Sequence, residues 1–516
     1  MSGDGHGPAA AVRVFAMSGE VALRREKRTL LAASLANGPY ELVDFLLPLF
    51  AGAALGASAT EVGVLAAVEM AVSVVTRPLA GVLADARERR YVAAAGAFVY
   101  ALSLVGYAVA GTMPVAYGAA VLGGIGGALF FVAVRAIAGE RLAEDSAVYP
   151  RLLSAEETGS WVAFVAGMTL IAVIDYRGVF LGCAAACAAA GFVLLSGPSR
   201  SVGDGGGPRR HGLDAVGRTL RPMLVGVAIT MAAEAAVGLL LLLHLQRRFD
   251  LEVTAIALVF LPGGIAISVL PPYLHRFVRR FGRTRVLAFS SVSSAVFAAS
   301  LAWAPNPYAI AALWILSGAA WAAVIPIQQA VVAEASGERV GQGMGLYESA
   351  GLLGGLTGSL AAGLLYDGSS WPVACLVAAV VILSGAVVLP RAVRAMGARD
   401  VPVEVPPTME AAPAPPPATV ASGPGPSTRE TDGAGPAKPP RRLLVELAQH
   451  ATLYAGVQVV LALIGLSWLV DTVTGREPDH DGVAGFAHGA GRVWTVILLI
   501  DVAWTGYKVV RQARRT

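Results

Sequence analysis

The sequence predicts an all-α, polytopic membrane protein: a twelve-helix bundle built as a six-plus-six repeat, followed by a two-helix transmembrane hairpin. Three observations predict it. Apolar runs of about 20 residues, enough to cross a hydrocarbon core, recur along the chain. Of 516 residues, 56% are hydrophobic and 14% charged, and the mean hydropathy of +0.65 is too high for a soluble domain. Finally, polar residues inside the apolar runs of residues 29–196 recur at matching offsets in 222–395.

Residues 1–28 form a mixed-polarity cytoplasmic tail without the basic start, apolar core and small-residue cleavage site of a secretory leader. The N-terminal bundle, 29–196, contains spans 1 to 6 at 29–53, 61–84, 91–111, 115–138, 154–174 and 178–196. Residues 197–221, rich in Gly and Arg, read as a flexible central loop. The C-terminal bundle, 222–395, contains spans 7 to 12 at 222–246, 251–274, 286–304, 307–333, 342–366 and 371–390. Residues 396–442, dominated by Pro, Ala, Gly and Ser, read as a disordered linker. Residues 443–516 hold two last spans, near 448–470 and 491–509, and a basic tail.

Arginines and lysines set the orientation. Arg24, Arg25, Lys27 and Arg28 precede span 1, Arg200, Arg209, Arg210 and Arg218 fill the central loop, and Arg276, Arg279, Arg280, Arg283 and Arg285 follow span 8. With the arginines at 391, 394, 441, 442, 511, 514 and 515 they fall on one side, which is expected to be the cytoplasm, with both termini there. Arg247 and Arg248 are the main exception. The Ala-, Gly- and Arg-rich composition suggests a bacterial cell membrane. The net charge of +4 lies in these short loops and gives no reason to expect a nucleic-acid partner. Cys183, Cys187 and Cys375 sit in apolar spans and read as packing residues, without a disulfide or metal framework.

The turn after span 2 runs Arg77-Pro78-Leu79-Ala80-Gly81-Val82-Leu83-Ala84-Asp85-Ala86-Arg87-Glu88-Arg89-Arg90. Gly81 lets a neighbouring helix approach, Asp85 suits another helix's positive N-terminus, and Arg87, Arg89 and Arg90 hold the turn in the cytoplasm. The stretch resembles the loop motif Gly-x-x-x-Asp-Arg-x-Gly-Arg-Arg between helices 2 and 3 of the major facilitator superfamily, with Ala86 and Glu88 as departures. Arg279-Arg280-Phe281-Gly282-Arg283 resembles a second copy that lacks the Asp. Glu156-x-x-Gly159 with Asp175 matches Glu348-x-x-Gly351 with Asp367, and Glu140 matches Glu334, as the superfamily's internal repeat implies. The resemblance implies a substrate path between the halves. It also implies a cytoplasmic latch in which Asp85 and Arg89 meet the start of span 11, with Glu140 as a candidate third member. Glu156, Glu157 and Glu348 read as inner-gate partners for the loop arginines Arg89, Arg90 and Arg283, or as acids complementing helix dipoles.

Span 1 carries Tyr40, Glu41 and Asp44, with the two acids on one helix face. At about 1.5 Å per residue, Glu41, Glu69 in span 2 and Glu234 in span 7 reach a similar depth in a core about 30 Å thick. Acids in hydrocarbon face a bundle interior or a wet cavity, so these read as a proton- or cation-binding site, or as hydrogen-bonded packing residues. Gln328 and Gln329 in span 10, with Trp314, Trp321 and Tyr347, are candidates to line the substrate cavity. Gly123, Gly124, Gly126, Gly127, Gly351, Gly354, Gly355 and Gly358 read as helix-packing positions.

No nucleotide-binding loop, metal-ligand cluster or nucleophilic triad is present, so no enzyme and no cofactor are expected; Gly205-Gly206-Gly207 lacks the Lys-Ser/Thr of a phosphate loop. Ala120 stands where many proton-coupled members carry an Arg, and 159–167 lacks the Pro common in exporters, which leaves coupling and direction open. The expected function is secondary transport of a small organic solute, proton-coupled, with efflux of an amphipathic, drug-like compound favoured over uptake of a sugar or organic acid. The rival is a non-transporting sensor or scaffold using the hairpin for partners. Membrane lipid and protons are the other expected partners, and a monomer the expected state. Asp479, His480, Asp481 and His488 read as a solvated loop, Gln458 and Asp501 as polar residues inside the hairpin.

Overall fold

The computed structural model describes residues 8–199, 212–251 and 253–402 and, beyond them, 444, 447–448, 451, 454–455, 458, 461–462, 467–474 and 482–513. The central loop's 200–211, most of the linker, and Asp479, His480 and Asp481 lie outside the described residues. The chain divides into two compact units, Met1–Glu404 and Val405–Thr516. All regular elements among the described residues are helical.

In the first unit the helices are α1 (Pro8–Leu55), α2 (Ala59–Ala86), α3 (Arg89–Val109), α4 (Met113–Gly139), α5 (Val148–Leu195) and α6 (Leu213–Phe249). They continue with α7 (Val253–Val269), α8 (Pro271–Phe281), α9 (Arg283–Ser300), α10 (Pro307–Ser336), α11 (Val340–Gly368) and α12 (Trp371–Ala395). Nine helical stretches among the described residues are long and apolar enough to cross a membrane, or ten if the bent pair α7–α8 counts as one. One of the nine, Pro307–Tyr366, holds both α10 and α11, and the first limb of α5, with Glu156 and Glu157, is not among them. Counted individually, these give the twelve passes expected.

Two breaks shape the bundle. α5 is two passes joined at Asp175, whose φ of 57° and ψ of 174° leave the helical region. Its side chain accepts the N–H of Tyr176 at 2.7 Å, capping the second limb where the backbone has lost its own partner. Between α7 and α8 the axis turns by 56° at Pro271, whose ring cannot donate to the preceding turn.

The halves are built alike. α1 lies along α5 and α6 along α11; α3 lies along α5, with Phe98 on Phe192 of its second limb, and α9 lies along α12. The crossings are close because they use glycine. A Cβ on Gly159 would sit 2.7 Å from the carbonyl carbon of Ser34, and one on Gly358 would sit 2.6 Å from that of Ala232. The halves meet where α2 faces α11 and α5 faces α7. Leu360, Leu364 and Val380 stay exposed on the outside, as lipid-facing residues do. Cys183, Cys187 and Cys375 are buried and unpaired, as packing residues.

The second unit contains α13 (Trp468–Thr474) and α14 (Gly482–Ala513) and is held by polar contacts. His488 is within 2.8 Å of Asp471, Ser467 donates to Gln458 at 3.1 Å, and Tyr454 and Thr495 share a 2.6 Å hydrogen bond. His488 is therefore a buried helical residue and not part of a solvated loop, a correction to the sequence reading.

Candidate functional site

The turn after α2 reaches across to the other half. The Asp85 carboxylate accepts the backbone N–H groups of Gly341 at 2.8 Å and Gln342 at 2.9 Å, in the first turn of α11. Those N–H groups have no intrahelical acceptor, and the helix dipole favours an anion there. Gly81 makes the reach possible: a Cβ there would lie 2.8 Å from the carbonyl carbon of Gly341 and 2.9 Å from the Cα of Gln342. Arg89 steadies the carboxylate at 3.2 Å, pairs with Glu140 at 3.2 Å and donates to the Ala136 carbonyl at 3.0 Å. Arg25 joins from α1, 3.1 Å from Glu140 and 2.8 Å from Glu88.

Behind this latch lies a buried ion network. Glu348 of α11 pairs with Arg77 of α2 and, at 2.9 Å, with Arg135 of α4. Arg135 also lies 3.4 Å from Glu156 of α5 and 5.2 Å from the Phe131 ring centroid. One Glu156 oxygen and one terminal Arg135 nitrogen are buried without a hydrogen-bond partner among the described residues.

Glu348 thus meets helix arginines and not the loop arginines assigned to it from sequence, because it lies a full turn or more deeper than Gly341. Arg90 and Arg283 are likewise not brought to the latch. Arg90 donates to the Gly197 carbonyl and covers the Tyr91 ring, within its own half. Arg283 binds Glu334 through two bonds of 2.6 and 2.5 Å, repeating the Arg89–Glu140 pair in the second half. Asp400, just past α12, lies beside the second motif copy. Its carbonyl accepts the Arg283 N–H and its carboxylate the Thr284 N–H, both at 2.7 Å, so it caps α9.

The intramembrane acids gather deeper in the bundle. Glu41 interacts electrostatically with Asp44 on its own helix, with Glu156 and Arg135, and across the halves with Glu234. Glu157 faces the same group. Glu156 is buried, Arg135 and Glu234 are half-buried, and Glu234 belongs to the other half, so Glu41, although exposed, is turned toward the seam between the halves. Asp44 is exposed too and approaches Glu69, which is half-buried and accepts the Tyr107 hydroxyl at 3.2 Å beside Gly123. Tyr40 packs on Tyr100 and Phe131, with ring centroids 5.6 and 5.0 Å away. None of Glu41, Asp44, Glu69, Glu157 and Glu234 forms an ion pair among the described residues.

Four cavity candidates are placed otherwise. Trp321, Gln328, Gln329 and Tyr347 are buried within the second half. Gln328 donates to Thr230 at 3.3 Å and accepts from Tyr347 at 3.4 Å, so these three satisfy one another, whereas the Gln329 side-chain oxygen is buried without a hydrogen-bond partner among the described residues. Trp321 walls two small voids, of about 20 Å³ beside Ser290, Ser291 and Ser294, and of about 10 Å³ beside Glu234 and Ser317. The sequence reading passed over Arg77 and Arg135 as site residues. An arginine within each apolar run was the signal that could have found them.

Two pseudo-equivalent halves, an acid-lined space between them and an ion latch at one end define a multi-pass membrane transporter of the secondary type. The chain belongs to the Major Facilitator Superfamily, whose family model matches residues 29–221 and 223–472. Solved structures share the fold. The human organic anion transporter MFSD10 (TETRAN) superposes with a TM-score of 0.62 at 16% identity, over 71% of this chain and 99% of that one. A bacterial homologue of the iron transporter ferroportin, in an outward-facing state, gives 0.58 at 16%, over 71% and 99%. The proton:xylose symporter XylE gives 0.58 at 14%, over 72% and 95%. No curated protein sequence matches the chain.

Proposed function

We propose that this transporter exports a small amphipathic cation across a bacterial cell membrane in exchange for protons, by alternating access. The observation that carries the reading is the set of carboxyls from α1, α2, α5 and α6 that form no ion pair among the described residues although Glu41 and Glu234 lie within electrostatic range of each other across the halves. An acid in that position is stabilised by a bound cation or a proton, and competition between the two for one carboxyl is the basis of exchange. Tyr40 and its aromatic neighbours offer ring faces to a lipophilic cation. In this reading the arginine-rich end is cytoplasmic and closed, held by Asp85 on α11 and by Arg77 and Arg135 on Glu348. Loading from the cytoplasm then requires those contacts to part while α2 slides from α11.

Proteoliposomes carrying an acid-inside gradient and a fluorescent lipophilic cation test the reading. Cation movement should release protons in the opposite direction, and Glu41→Gln or Glu234→Gln should abolish the exchange while leaving the protein folded. Exchange that survives both substitutions, or movement of a neutral sugar or an organic anion in place of the cation, overturns it. Movement of no solute at all would favour the sensor reading.

A further inference from the structure

We propose that α8 is a docking surface for the phosphodiester headgroups of anionic membrane lipids. In its sequence, Pro271-Pro272-Tyr273-Leu274-His275-Arg276-Phe277-Val278-Arg279-Arg280-Phe281, the exposed residues are Pro272, Arg279 and a stripe of five: Tyr273, Arg276, Phe277, Arg280 and Phe281. The five positions of the stripe share a helix face. Val278, on the other side, is buried.

The stripe is ordered by its own contacts. The Arg276 guanidinium lies over the Phe277 ring at 4.9 Å and that of Arg280 over Phe281 at 5.3 Å. The two rings are nearly parallel, 8° apart in plane with centroids 6.3 Å apart. A guanidinium laid on a ring keeps its N–H edge free for a bidentate oxyanion.

Among the described residues neither Arg276 nor Arg280 meets a carboxylate, whereas Arg89, Arg90 and Arg283 are each engaged by protein groups. A positive-inside bias accounts for arginines in this turn, but not for an exposed aromatic ring beneath each of two of them. In hydrocarbon the arginines would be costly, and in water three exposed aromatic residues would be. Headgroup depth accommodates both, and α8 is bent 56° off the axis of α7 at Pro271. Clustered basic residues at that depth select anionic lipids.

The opposite flank of α8 touches the other half. His275 lies 2.8 Å from the Ser146 hydroxyl, in the turn between α4 and α5. A lipid seated on the stripe therefore braces a helix that forms part of the seam between halves. The inference does not depend on what the protein transports.

The test uses the purified full chain in detergent, titrated separately with phosphatidylglycerol, phosphatidylcholine and inorganic phosphate. Bound lipid is counted by native mass spectrometry and thermal midpoints are read in parallel. Phosphatidylglycerol should be retained roughly thirtyfold better than phosphatidylcholine, as expected for two guanidinium contacts, and should raise the midpoint where inorganic phosphate does not. Arg276→Gln with Arg280→Gln should erase that preference, and Phe277→Ala with Phe281→Ala should weaken it. If the double Gln variant does not fold, Arg276→Lys with Arg280→Lys replaces it; charge is kept but the fork is lost, so the preference should drop. Equal retention of the two lipids, a preference that survives both arginine variants, or an equal midpoint rise with inorganic phosphate overturns the proposal.

Discussion

Arg135 on α4 meets Glu348 on α11 at 2.9 Å, across the plane dividing the two halves. The same arginine lies within electrostatic range of Glu41, so one side chain faces both the latch and the acid-lined space. Any change of charge around Glu41 is therefore felt by a group that holds the halves together.

Glu348→Gln removes the anion shared by Arg77 and Arg135 and leaves two buried cations short of a partner. Breaking a buried pair on one side typically costs about 3–5 kcal/mol, so the closed arrangement should lose most of its advantage. Ser349, which donates to the Val74 carbonyl at 3.1 Å, provides a reporter. In a Ser349→Cys background, Glu348→Gln should accelerate thiol labelling by roughly a hundredfold, the equivalent of about 3 kcal/mol. The native cysteines are buried and should label slowly. An unchanged labelling rate would remove Glu348 from the latch.

Gly81→Ala should separate α2 from α11, because the obstructing atoms belong to the α11 backbone and cannot rotate away. Overpacking of this kind costs about 1–3 kcal/mol. Gly355→Ala, where a Cβ would meet nothing within 4 Å, is the matched control and should be neutral or slightly stabilising. Thermal midpoints in detergent decide it; equal shifts for both substitutions would mean that the close approach at Gly81 is not needed.

Asp145 lies in the turn before α5, outside the spans. Burial acts to raise its carboxyl pKa, but bonds from the Arg151 side chain and the Ala147 N–H, with the charges of Arg151 and Arg141, hold it below the ordinary range. A lowered folded value means its stabilisation is present above the unfolded value of about 3.9 and is lost as pH falls through the folded value. The midpoint gap between wild type and Asp145→Asn should be constant from about pH 7 to 5 and close below about pH 4. A gap that widens on acidification would reverse the sign.

Asp400→Ala removes the cap on α9, a loss of about 0.5–2 kcal/mol for a capping carboxylate. The midpoint should fall accordingly, while Asp400→Asn, which retains an acceptor for the Thr284 N–H, should recover most of it. No change with Ala would make the contact incidental.

The helix plan was legible because nearly every pass carries its own apolar run, and because Gly81, Asp85 and Arg89 announce a tight turn locally. The partners of these residues were harder to read. Asp85 finds α11 through backbone N–H groups, which any sequence supplies, and only the meeting of α2 and α11 selects Gly341 and Gln342. Glu348 was expected to meet loop arginines; its depth relative to Arg77 and Arg135 depends on how far α2 and α11 overlap, which periodicity within one helix does not encode. Gln328 and Tyr347 looked like lining residues because polar groups in an apolar run need a partner, and each proved to be the other's. Asp400 lies 116 residues beyond the Thr284 N–H it caps, too far for any local signal.

Asp175 alone makes the connection between the two limbs of α5. The polar residues beside it, Tyr176 and Arg177, complete a turn only a few residues long. A joint that short gives the limbs no slack, so a shift of one along the membrane normal must carry the other with it.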